Sequence, residues 1–318
     1  MKRVTGGALV IGEALVDVVN DGSGVVAKHP GGSPANVAVG LARLGRPTTL
    51  LTDIGDDRHG DILARHLHRE RVELLNPQRR GMRTSSASVQ IGADRSATYA
   101  FDLTWAPERP ARTHRPRLVH TGSLGAVLAP GAAVVVDLLR ELTASATVSY
   151  DLNIRPAAMG SPVDLWDRVA SVVALADIVK ASDEDLDHLM PGAPVEEAAR
   201  RLVDRGPAAV IVTRGAAGSL CVTPTGVVSS PAPRVSVVDT IGAGDSFCAG
   251  VIDRLWELGL LGAPTRPLLQ AARESDWADV LAYAAAVAAI TVSRPGADPP
   301  VLAELESHPG LLREPATR

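Results

Sequence analysis

From residue 117 to residue 213 the chain alternates short apolar runs with amphipathic stretches, and no other feature limits its fold as tightly. The pattern predicts strands at 118–122, 147–151, 177–180 and 208–213. Helices are expected near 131–142, 163–176, 183–190 and 195–205. Parallel neighbours need a crossover connection, usually a helix, and this alternation supplies one after each strand. The result is a mostly parallel sheet with helices on both faces, an α/β fold. Reactive groups in such sheets gather at the carboxyl ends of strands. Asp151, Lys180, Thr213 and Asp239 stand at ends of this kind.

The flanking segments partly fit that frame. A buried strand at 7–12, a strand at 50–54, a helix at 59–71 and an alanine-rich helix at 278–292 extend it. Two segments do not. Residues 13–30 alternate apolar and polar positions, with Asp21-Gly22 as a turn, and residues 84–105 are again β-like. We read them as a small sheet, a lid over one edge of a single domain spanning 1–318. Between Tyr99 and Trp105 the large apolar residues fall at every second position. That face is expected to cover a substrate cleft or the same strand of a second subunit, as in a homodimer. The tail after 305 is expected to be loosely held.

Composition removes several classes of function. The net charge is −4 and there is no basic run, which argues against nucleic acid; aromatic residues are too few for base stacking. Cys221 and Cys248 lack metal spacing and read as reduced core residues of a cytoplasmic protein. The N-terminus has no apolar signal core, and the longest apolar run, 280–292, is short for a bilayer. The three lysines, Lys2, Lys28 and Lys180, follow no glycine, so there is no Walker-type loop, and no GxGxxG fingerprint occurs.

Chemistry concentrates in Asp239-Thr240-Ile241-Gly242-Ala243-Gly244-Asp245, between a β-branched run (Val235, Val237, Val238) and a helix expected at 245–259. Two glycines let bare N–H groups approach a ligand at a helix start, where the dipole favours an anion. Asp245 stands at the same spot. It either serves the helix dipole or takes a proton from a hydroxyl while phosphate charge is held beside it. Gly31-Gly32-Ser33-Pro34-Ala35-Asn36 opens a second helix, with Ser33 as expected N-cap and Gly45 past the end. Asn36 either caps that helix or offers its amide to a polyol. Asp17 is a solvated strand residue or a carboxylate facing sugar hydroxyls. Asp151-Leu152-Asn153-Ile154-Arg155 places a guanidinium just past a strand end, fit to clamp an anion. Asp183, Glu184 and Asp185 open a helix, where acids favour the dipole or hold the waters of Mg²⁺. Thr213-Arg214-Gly215-Ala216-Ala217-Gly218 follows a strand and suits nucleotide phosphates.

Two of these stretches together closely resemble the signatures of the ribokinase-like, or PfkB, carbohydrate kinases. Gly31 to Ala38, with Gly45, Gly55 and Gly60, is similar to the N-terminal signature; Asp239 to Asp245, with Ala249-Gly250, is similar to the C-terminal one. The resemblance covers nearly the whole chain. It implies a three-layer sandwich with a lid, and transfer of the ATP γ-phosphoryl group to a sugar hydroxyl. Asp245 would then be the base, and the amides of Ile241, Gly242, Ala243 and Gly244 the anion hole, with Arg155 beside it. Asp17, Gly31, Gly32, Asn36 and Tyr99 would bind the sugar. Lys180, Thr213, Gly215, Gly218, Gly242 and Gly244 would lie along the nucleotide. Asp185 takes the position of the family's Mg²⁺-linked glutamate, and Ser182 a position often held by asparagine. Asp239 and the 293–297 loop with Gly296 fall where many members hold a monovalent cation such as K⁺.

Within the family, Asp151-x-Asn153-x-Arg155, Leu165-Trp166 and Lys180-Ala181-Ser182 are similar to bacterial fructokinases. Keto-deoxy sugar-acid kinases usually carry an arginine in the lid strand, where this chain has Asp102. An acid there repels a sugar acid, so a neutral sugar such as fructose is expected. The alternatives are a 2-keto-3-deoxygluconate, ribose or nucleoside kinase, or a sugar-binding relative without catalysis.

Overall fold

The computed structural model describes residues 6–20, 26–75, 80–91, 97–110 and 115–311. Alternate residues of its first strand enter different cores. Along β1 (Ala8–Ile11), Ala8 and Val10 join one apolar cluster and Leu9 and Ile11 another. Ala209 and Ile211 are divided from Val210 and Val212 in the same way. Two-residue periodicity with both faces apolar is what a sheet covered on both sides requires.

The remaining strands are β2 (Leu15–Asn20), β3 (Val26–Gly31), β4 (Thr48–Leu51), β5 (Glu73–Leu74), β6 (Ser86–Ile91) and β7 (Ala97–Asp102), then β8 (Leu118–Gly122), β9 (Thr147–Asp151), β10 (Ile178–Ser182), β11 (Ala209–Thr213), β12 (Ser219–Val222) and β13 (Val227–Ser230). The large sheet runs β13-β12-β11-β10-β9-β8-β1-β4-β5, parallel from β11 to β5. β12 and β13 add an antiparallel edge that the sequence reading did not place. The second sheet, β3-β2-β6-β7, takes the two segments that broke the alternation. Its pairs are antiparallel except β2 with β6. The expected 21–22 turn lies outside the described residues.

The helices are α1 (Ser33–Arg43), α2 (Arg58–Arg69), α3 (Ser123–Val127), α4 (Gly131–Leu142), α5 (Pro156–Met159), α6 (Pro162–Val173), α7 (Asp183–Leu189), α8 (Val195–Val203), α9 (Ala243–Glu257), α10 (Arg266–Gln270), α11 (Glu274–Val292) and α12 (Leu302–Glu306). Side chains of α1, α9 and α11 fill the first core, and those of α4, α6 and α8 the second. Gly45, at φ 87°, closes α1 as expected: its N–H bonds Ala42 O and that of Arg46 bonds Leu41 O. By length and composition α11 could cross a membrane, but it packs inside the first core.

Three expectations need correction. Residues 235–238 form no strand. Val237 and Val238 are exposed, and the amides of Val238 and Asp239 both reach Val292 O at the end of α11. These amides bond a helix end and not a strand, and β-branched composition alone does not make a strand. Trp105 does not continue the apolar face of β7. The strand stops at Asp102, and Trp105 turns into the second core, where its Nε1 donates to Gly125 O at 2.9 Å. The tail after 305 is held as far as 311, since Leu305 is buried and Leu311 packs on the first core.

Candidate active site

The site begins with two helices in close approach. A Cβ on Gly40 of α1 would lie 2.8 Å from the Cβ of Ala249 on α9, so only glycine allows this spacing. One turn earlier on each helix, Asn36 Nδ2 donates to Asp245 Oδ2 at 2.8 Å. Ser33 Oγ donates to Asp245 Oδ1 at 2.7 Å. Ser33 and Asn36, three apart, share one side of α1 and grip both carboxylate oxygens. This corrects the expected cap. Gly32, at φ 101°, holds the N-cap position with no side-chain bond, and Ser33 is the first helical residue.

The turn leading into α9 is fastened from outside. Asp239 accepts the N–H of Ile241 at 3.0 Å and that of Gly296 at 2.8 Å. These amides hold its carboxyl below the usual aspartate range. Gly242, at φ 73°, sits against Ala297, which a Cβ would strike at 2.6 Å. The expected anion hole therefore narrows. The Ile241 N–H is committed to Asp239, and the Ala243 N–H to Thr240 O at 3.2 Å. Among the described residues, the amides of Gly242, Gly244 and Asp245 have no acceptor within the protein.

Beneath the turn lies Lys180, whose Nζ donates to the fully buried Asp151 Oδ2 at 2.9 Å. Burial by itself lowers the ammonium pKa, but the Asp151 and Asp185 charges outweigh it, so Lys180 is held charged. His120 lies close by, with Nδ1 on Ser149 Oγ at 3.2 Å. Burial, aided by the Lys180 charge, pushes its imidazole down to about 3, so it is neutral.

Asp17 stands on β2 against Gly31, where a Cβ would come within 2.1 Å of its Oδ2. Burial, with a smaller push from Asp245, raises its carboxyl to about 6 against the pull of His29 and Arg155. The exposed Arg155 opens α5, with an Nη on Ile154 O at 3.1 Å. Asp185 accepts the N–H of Ile154 at 2.7 Å and that of Ser182 at 2.8 Å, which ties the 151–155 strand end to α7. Thr213 ends β11 opposite Ser182. Gly215, at φ 50°, opens the short 3-10 turn Gly215–Ala217, and Gly218, at φ 85°, packs against Ser230 O. Among the described residues, no hydrogen bond joins this 213–218 loop to the Asp245 turn. Tyr99 lies on β7, and its side chain is outside the described residues.

Sequence reasoning missed Glu13 and Arg83, and it named Asn153 without a role of its own. Glu13, just past β1, is buried and accepts the Gly125 N–H at 2.7 Å, and burial raises its carboxyl to about 7. A charge set among Ile11, Ala14 and Leu15 was the available signal. Asn153 sits at φ 38°, its Nδ2 buried without a partner among the described residues. Arg83 pairs with Asp102 at 2.5 Å, an exposed ion pair that gives the lid strand's acid a cationic partner.

A carboxylate gripped at both oxygens, beside open amides at a helix start backed by a buried cation, has the chemistry that phosphoryl transfer to a hydroxyl requires. The protein is an ATP-dependent phosphotransferase with an alcohol acceptor. It belongs to the pfkB family of carbohydrate kinases, whose model matches residues 8–304. It is 34% identical to a fructokinase of Klebsiella pneumoniae over 79% of this chain and 85% of that one. Fructokinase of Xylella fastidiosa with bound ATP superposes with a TM-score of 0.83 at 28% identity, covering 94% and 97% of the two chains. A fructokinase of Vibrio cholerae, bound to fructose, ADP and calcium, gives 0.76 at 27% identity over 95% and 98%.

Proposed function

We propose that this enzyme phosphorylates fructose from MgATP. The observation that carries the chemistry is the double grip of Ser33 and Asn36 on Asp245 beside the open amides of Gly242 and Gly244. The choice of sugar is supported by the fructokinases to which the chain is similar. Asp245 takes the proton of the attacking hydroxyl. The turn amides receive the migrating phosphoryl charge, and Arg155 closes over it. Asp17, Gly31, Gly32, Asn36 and Tyr99 bind the sugar; Thr213, Gly215 and Gly218 line the nucleotide. The 13–30 and 84–105 segments act as a lid on a single-domain cytoplasmic enzyme that pairs through that lid.

The described residues contain no cluster of three or more His, Cys, Asp or Glu able to hold a metal ion. They fit Mg²⁺ that arrives on the ATP phosphates with its waters, near Asp185, rather than a protein-built cage. For K⁺ the reading rests on Asp239, whose carboxylate meets the 293–297 loop at the Gly296 N–H.

The test is a panel of fructose, ribose, 2-keto-3-deoxygluconate and nucleosides, read as ADP release. Fructose is expected to give the highest kcat/KM; a tenfold preference for another acceptor refutes the fructose assignment, and no sugar-dependent ADP release refutes the kinase. Light scattering at working concentration checks the dimer, which a monomeric mass rejects.

A further inference from the structure

Lys180 is one of three lysines in the chain, and it is 5% exposed. Its partner Asp151 is 0% exposed and receives a single ammonium bond on Oδ2, while Oδ1 has no partner among the described residues. Burying such a pair is costly, and apolar side chains of similar volume usually stabilise a core at least as well. Stability alone is therefore a weak reason for it.

The position of the ammonium supplies a better one. Lys180 Nζ stands 3.1 Å from where a Cβ on Gly244 would be. Gly244 is not among the glycines with positive φ, so its backbone does not require glycine. The missing side chain makes room for the ammonium. The same residue carries one of the open amides at the start of α9. A fixed cation thus sits behind the turn on which an anion would rest. In a water-poor site such a charge acts without moving.

We propose that Lys180 is a positioning residue for phosphoryl transfer. Paired with Asp151, it acts through Gly244 to strengthen the Gly242–Asp245 turn for the charge that builds on the migrating group, rather than ligating the nucleotide as the family resemblance implies. This rests on the reading of the turn as the phosphoryl site.

The test compares wild type with Lys180→Met, Lys180→Arg, and Lys180→Met combined with Asp151→Asn, which leaves no lone buried charge. Folding is checked by circular dichroism. For the methionine variants kcat is expected to fall roughly 100-fold. Their KM for ATP should stay within about 3-fold of wild type, because the lost interaction belongs to the transition state. Affinity for ADP with aluminium fluoride and fructose should fall with kcat, affinity for ADP alone should not, and Lys180→Arg should recover part of the rate. An unchanged kcat overturns the proposal. So does a rise in KM for ATP as large as the fall in kcat, which would make Lys180 a nucleotide ligand.

If the methionine variants fail to fold, wild-type protein labelled with ¹⁵N-lysine decides the matter. The buried ammonium signal should shift on forming the ADP–aluminium fluoride–fructose complex, and a stationary signal overturns the proposal. Wild-type turnover measured in parallel separates failure of the kinase reading from failure of this one.

Discussion

The hydroxyl of Ser33, at the start of α1, donates to Asp245 Oδ1 at 2.7 Å across 212 positions of sequence. With Asn36 on the other oxygen, it fixes the orientation of the carboxylate. Ser33→Ala should lower kcat by about 10-fold, the scale of one hydrogen bond to a charged group. The fold should survive, because Gly32 rather than Ser33 holds the cap position. Recovery in Ser33→Thr, measured with unchanged thermal stability, completes the check; wild-type kcat in Ser33→Ala would exclude an orienting role.

Asp245→Asn should reduce kcat by roughly 10³-fold or more, in line with loss of a general base, while ATP binding by calorimetry stays near wild type. Arg155→Ala should lower kcat more than it raises KM for the sugar. Equal effects on both would instead make Arg155 a uniform binder of substrate.

Glu13 gives a pH signature. Burial raises its carboxyl from 4.5 to about 7. The folded state therefore holds the proton between those values and the unfolded state does not. The contribution of Glu13 to stability is fully present below pH 4.5, falls as pH rises through 7, and levels off above it. Glu13→Gln, always neutral, should gain on wild type across that window by about 3 kcal/mol. Urea melts at pH 5 and pH 8 measure it, and parallel stability curves would mean that Glu13 is not buried as an acid.

Gly40→Ala tests the helix spacing. Alanine in mid-helix ordinarily gains up to about 1 kcal/mol over glycine. Here the new Cβ meets that of Ala249 at 2.8 Å, and overpacking costs about 1–3 kcal/mol. The variant should melt at lower temperature and turn over more slowly, because Asn36 and Asp245 lie one turn from the collision. A higher Tm would show that the helices part freely.

Asp239→Ala removes the tie between the turn and Gly296. It should raise KM for ATP and weaken any activation by KCl over choline chloride. Activation that persists undiminished in the variant would place the cation elsewhere.

Much of the fold was legible because strand and helix leave different periods in the sequence, and 117–213 carries both cleanly. Gly242 and Gly244 marked the turn into α9, and the glycine-rich stretch from Gly31 to Asn36 marked the helix start that meets it. What was hidden depended on distance across space. No pattern tells that Ser33 leaves its expected cap for Asp245, or that Arg83 pairs with Asp102. The Val235 to Val238 run misled for a related reason, since a strand needs a partner strand and composition cannot supply one. Glu13 left a trace, a lone acid among apolar neighbours, but its acceptor role became visible only with Gly125 in place.

Asp245 is anchored to the α1–α9 helix pair, whereas Asp17 is carried by β2 of the small sheet. The proposed base and one of the proposed sugar contacts thus hang on different supports. Residues of the small sheet can be exchanged in search of other acceptors while the helix pair, and with it the base, keeps its alignment. A library restricted to β2, β6 and β7, which sparing β3 keeps clear of the Gly31–Gly32 entry to α1, is therefore a rational starting point for redirecting this enzyme to new polyols.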